Sequence, residues 1–133
     1  MTIAANDYIS LDRRDSNGVG GPGAVQLYGT TANTTAVTQL TSRTTGVTIN
    51  SPVGTITLVS AANSATDSTF TVTNSFVDAG DVIVVSQKSG TDPRRIAVTA
   101  TAAGSFNITS ASISGTTTES PVYNFAVVKG AIV

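Results

Sequence analysis

Residues 18–23 read GVGGPG, a literal match to the G-x-G-x-x-G spacing that lets backbone amides approach the pyrophosphate of a dinucleotide. That chemistry needs a buried strand entering the loop and a helix leaving it, because the helix N-terminus supplies the N–H groups and the positive end of the dipole. Upstream, DYISLDRRDS is too charged for a buried parallel strand, and downstream AVQLYGTTANTTAVTQL has no helical apolar face. Pro22 also removes one of the donors. The segment is read as a turn-rich joint.

Other routes to chemistry are few. The chain has no His and no Cys, so the usual base for a Ser nucleophile, the thiol nucleophile and the commonest zinc ligands are missing. Glu119 is the sole Glu and sits in a Thr-rich loop, while Asp78 and Asp81 flank Ala79 and Gly80, where an Asx turn is the simpler role. Neither place offers the further ligands of a calcium site or the second carboxylate of a glycosidase. The expectation is a protein that is not an enzyme and has no catalytic residue, cofactor or metal. Lys88, Arg94 and Arg95 lie near the two ends of one expected hairpin loop, with Asp92 between them. They read either as charges protecting a sheet edge or as an ion-pairing contact with a neighbouring subunit or an acidic support. The glycosylation-like triplets at Asn33 and Asn107 are chance matches in a Thr-rich chain.

The elements that must position these residues are strands. With 133 residues there is room for one domain with a real core. No run of eighteen apolar residues and no basic-then-apolar leader is present, so neither a membrane partner nor export by a signal is expected, and synthesis in a cytoplasm is. A net charge of −1 with 11% charged residues argues against nucleic acid as a partner. Thr and Ser together supply 38 residues, enough to make a polar surface without charge. Charge clusters early, at Asp7, Asp12, Arg13, Arg14 and Asp15, whereas residues 30–67 hold a single Arg43 before the final Asp. A boundary near Gly29 follows, with residues 1–29 as an N-terminal arm and residues 30–133 as the body.

In the body, TITLVS and TFTVT alternate apolar and Thr residues with period two, the pattern of half-buried strands. DVIVVS is apolar on both faces, which predicts a central strand or one at a subunit contact, with Ile83 and Val85 as contact candidates. RIAVTA, SFNITSASI and VYNFAVVK continue the series, and breakers such as NSP, DAGD and KSGTDP separate the runs. About eight short strands at this spacing predict an all-β, antiparallel sandwich, jelly-roll-like or Ig-like. The three runs in residues 81–113 read as an antiparallel meander, because their connections are short.

The segments LTSRTTGVTINSPVGTITLVSAA, STFTVTNSFVDAGDVIVVSQKSG and AVTATAAGSFNITSASISG, with SPVYNFAVVKGA after them, resemble small virion proteins of tailed bacteriophages, the capsid decoration or cement proteins. The resemblance covers residues 40–131 and rests on the order of whole segments. It implies a β-rich homotrimer that clamps the major capsid protein on the virion surface. On that footing the arm is the anchor, with Tyr8, Ile9 and Leu11 giving apolar contact and Arg13 and Arg14 pairing with shell carboxylates, while Lys88, Arg94 and Arg95 join Ile83 and Val85 as subunit-contact candidates. The alternative is a fibre-tip or receptor-binding module, which would want exposed aromatic platforms, whereas Phe70, Phe76, Phe106, Tyr123 and Phe125 fit core or near-core strand positions.

Overall fold

The structure, a computed structural model, describes residues 35–130. The joint at 18–23, the boundary near Gly29 and the anchor candidates Tyr8, Ile9, Leu11, Arg13 and Arg14 lie outside the described residues. Within them the chain forms ten strands and no helix: β1 (Ala36–Thr38), β2 (Val47–Thr48), β3 (Val53–Thr57), β4 (Ala61–Ala62), β5 (Ser68–Thr73), β6 (Val82–Ser89), β7 (Arg94–Ala102), β8 (Ser105–Ser112), β9 (Thr118–Glu119) and β10 (Val122–Val128). No described helix is long and apolar enough to cross a membrane.

Two four-stranded sheets, ordered β1-β3-β10-β6 and β2-β5-β8-β7, share one core, and β4 pairs with β9 at their side. Alternation supplies the inner faces. Tyr123, Phe125 and Val127 of β10 turn inward with Ile56 of β3 and Ile83 of β6; Phe70 and Val72 of β5 and Phe106 and Ile108 of β8 meet them. Phe106 and Phe125 join the two sheets, their rings 5.5 Å apart and tilted by 55°, an arrangement the aromatic quadrupole favours. Gly54 makes room for this packing: a Cβ there would stand 2.9 Å from the Phe125 ring and 2.7 Å from the Ile49 Cδ1.

Three expectations change. The pairing is mixed, not wholly antiparallel, since β1 runs parallel to β3 and β2 parallel to β5. The chain moves from the first sheet (β1) to the second (β2) and back (β3), and a strand that returns after a crossover can lie parallel to its predecessor. Turn residues mark where a strand stops, not which way the next one runs. Second, β6 is an edge strand and not a central one. Third, the meander is only a hairpin. β7 and β8 pair around Ala103 and Gly104, the latter at a φ of +81° that L side chains resist. Residues 90–93 instead carry the chain from β6 in one sheet to β7 in the other, through Gly90 at a φ of +140° and Pro93, which has no N–H.

Two of the four edge strands, β6 and β7, are blunted alike. Register shifts leave Lys88 of β6 and Thr99 of β7 without a partner across the ladder, and such bulges discourage edge-to-edge pairing.

Candidate functional site

The strongest concentration of polar side chains closes one end of the core. Arg94 opens β7 on its inward-facing side, so its guanidinium enters the sandwich end and donates from Nε to the Tyr123 hydroxyl at 2.6 Å. That hydroxyl donates onward to the Ser110 Oγ of β8 at 2.8 Å, a fully buried hydrogen bond that ties the two sheets together. Arg43 arrives from the loop between β1 and β2. Ser42 and Thr45 bond to each other there, and the Gln39 amide donates to the Thr45 carbonyl at 2.9 Å, which fixes the loop. Its guanidinium donates to the carbonyls of Val59 (2.8 Å), Ala61 (2.9 Å) and Glu119 (2.8 Å), pinning the β4–β9 ladder.

Asn63, just after β4, joins both arginines to two carboxylates. Its Oδ1 accepts from Arg94 at 2.7 Å and from Arg43 at 3.3 Å, and its Nδ2 donates to Asp92 at 2.9 Å and to Glu119 at 2.5 Å. Cations therefore stand on one side of the amide and anions on the other. Asp92 also accepts from the N–H and hydroxyl of Thr117, and Glu119 from the N–H groups of Thr91 and Asp92, so the 90–93 loop and the segment before β10 clasp each other. The Asn63 amide, then the Thr117 N–H, hold Asp92 below the usual carboxylate range. Burial pushes Glu119 upward, but the Thr91 N–H, the Asn63 amide and the Asp92 N–H outweigh it and leave Glu119 lowered.

On the cationic side a cleft of about 230 Å³ opens, lined by Arg43 and Arg94, by Ala62, by Ser64, Thr66 and Ser68, and by Asp67. Neither guanidinium forms an ion pair with a carboxylate among the described residues. Burial, and next the charge of Arg94, lower the Arg43 pKa.

Of the subunit-contact candidates read from sequence, the structure brings only Arg94 into this cluster, where it joins Asp92 and Glu119, two carboxylates also singled out from sequence. Its neighbour Arg95 faces outward and pairs with Asp67 at 2.8 Å on the surface. Lys88 sits at the β6 bulge. Ile83 points into the core and Val85 packs against it, so the apolar residues that β6 presents outward are Val82 and Val84. Asp78 and Asp81 do share a cation, but it is the Lys129 ammonium, at 2.7 and 2.6 Å. Phe70, Phe106, Tyr123 and Phe125 are buried; Phe76, expected near the core, is 42% exposed. Sequence reasoning missed Arg43 and Asn63. The signal for Arg43 was its isolation, a lone charge in a long Thr-rich stretch; Asn63 carried none, being one turn former among many.

Among the described residues no group of three or more acidic side chains is placed to hold a metal. Comparisons of the chain with protein-family models, with curated proteins and with solved structures found no match.

Proposed function

We propose that this chain is a structural virion protein, a capsid decoration protein of a tailed bacteriophage that docks on the major capsid protein as a homotrimer and acts by contact, not catalysis. The observation that carries the reading is the outer face of the first sheet. Val82, Val84 and Val128 stand 60%, 54% and 47% exposed, and the register puts Val82 beside Val128 and Val84 beside Ala126. A run of valines on the solvent side of an edge strand, in a chain with so little surface charge, is the kind of patch that marks an interaction surface. The segment resemblance over residues 40–131 points to the same role.

Such a protein stabilises a shell by linkage, because it binds the assembled state and not the dissociated one. Three linked copies act through effective concentration, so each contact can be modest. Residues 1–29, which could reach up to roughly 100 Å if extended, would add the anchor.

The test is Val84→Lys in the full chain, mixed with undecorated shells of the encoding phage. The variant should stay folded with an unchanged melting temperature and bind at least about tenfold more weakly, or 1.4 kcal/mol. Equal decoration by the variant would remove the valine face from the reading. Light scattering should give a trimer, and a soluble monomer at micromolar concentration would count against the assembly.

A further inference from the structure

We infer that the cleft beside Arg43 and Arg94 is a receptor site for a single carboxylate, filled when the protein docks by an acidic side chain of the partner surface. The site stands on the geometry of the cluster; the source of the carboxylate rests on the docking reading above.

A guanidinium carries five N–H donors. Arg94 commits Nε to Tyr123 and one Nη1 hydrogen to Asn63, so its Nη2 has no acceptor among the described residues. An Nη2 with no acceptor among the described residues, beside an Nη1 with one hydrogen left, offers a planar fork, the shape that grips a carboxylate by two parallel bonds. Arg43 stands next to it, held by three carbonyls that give it no countercharge. Asp92 and Glu119 offset part of this charge across the Asn63 amide, but neither makes a direct ion pair with either guanidinium among the described residues. Two part-buried like charges side by side are costly, and an anion in the cleft relieves that cost. The lowering of the Arg43 pKa by burial and by Arg94 agrees.

The cleft also limits the anion. At about 230 Å³ it is smaller than the roughly 300–1,000 Å³ typical of pockets for whole small ligands, and suits the tip of a side chain. Asp67 on its wall opposes a second negative charge even while paired with Arg95, so a monoanion fits better than a phosphate dianion. Ser64 and Thr66 give the rim hydroxyl groups for a carboxylate oxygen turned away from the fork, while Ser68 donates its own to the Ser110 carbonyl.

The test follows the arginine Nε–H signals of the full chain by NMR at constant pH and ionic strength. The probes are sodium acetate, inorganic phosphate, a capped Gly-Glu-Gly peptide and its Gln counterpart. The expected result is a saturable shift of the Arg94 signal with acetate and with the Glu peptide, the peptide half-saturating at the lower concentration and the Gln peptide not at all. Arg94→Lys keeps the charge without the fork and should raise the half-saturating concentration at least about tenfold. That substitution also loses the bond to Tyr123, so Ala62→Leu, which narrows the cleft without removing a side-chain hydrogen bond, is the second variant. It should abolish the shift with the melting temperature unchanged. Shifts that grow linearly for every salt, phosphate binding more tightly than acetate, or full binding by Ala62→Leu would overturn the site. A Glu peptide no better than acetate would overturn the side-chain source. A protein that takes the peptide yet ignores undecorated shells keeps this site and loses the docking reading; one that decorates shells yet takes neither carboxylate does the reverse.

Discussion

Asn63 can take only one orientation. With its oxygen toward two guanidiniums and its nitrogen toward two carboxylates every contact is donor to acceptor, whereas a flipped amide would set four like groups together. Asn63→Ala should therefore cost about 2–4 kcal/mol in urea unfolding, because it strands several part-buried groups at once. Tyr123→Phe keeps the ring and removes only the hydroxyl between Arg94 and Ser110, so about 1–3 kcal/mol is expected. The two losses should fall short of additive in a double-mutant cycle, since Arg94 is common to both. Adjacent in sequence, Arg95 makes only an exposed pair with Asp67, and Arg95→Gln should change stability by no more than about 1 kcal/mol.

Strand alternation decides what each element gives to the core. In β10 it turns Tyr123, Phe125 and Val127 inward and leaves Val128 exposed; in β6 it buries Ile83 between exposed Val82 and Val84. The same alternation puts Gly54 of β3 on the inner face, in the space the Phe125 ring and the Ile49 side chain fill. Gly54→Ala should overpack that layer and lower stability by about 1–3 kcal/mol, although alanine suits a strand better than glycine. A melting temperature equal to or above wild type would show that the Phe125 ring yields without cost. Gly115, also at positive φ, lies against the Asp92 carboxyl carbon, so the clasp between residues 90–93 and 115–119 depends on a missing side chain as well as on hydrogen bonds.

For the molecule as a whole, stability should depend on acid. Asp81, whose side chain is 2% exposed, is drawn from the ordinary 3.8 to about 2, first by its hydrogen bond from Lys129 and then by the Asp78 N–H. Asp92 and Glu119 are lowered as well. A carboxyl group with a depressed folded-state pKa contributes stability above its unfolded pKa and loses it as pH falls through the folded one. The melting temperature should thus hold through neutral pH and fall between about 4.5 and about 2. Asp81→Asn should lower the neutral-pH value and flatten the acid limb; an unchanged limb would move the acid response elsewhere. Lys129 is raised, chiefly by Asp78 and Asp81, so its share persists below 10.5 and is lost only above it.

What the sequence by itself determined is local. Period-two alternation of Thr with Ile, Val and Phe sets strands and their inner faces, because burial on a pleated sheet depends only on neighbours two apart. The breakers at residues 78–81 and 102–104 fall where strands end. What tertiary structure decided is long-range. Whether β6 pairs with β7 or crosses to the other sheet turns on residues 90–93 meeting Glu119 and Thr117, partners more than twenty positions away. That Arg94 becomes part of a buried cluster while Arg95 becomes a surface charge turns on which face of β7 meets Tyr123. Arg43, Asn63, Asp92 and Glu119 share no spacing in the chain; they meet because the two sheets close over one end of the core, where polar groups must pair with one another once water is gone.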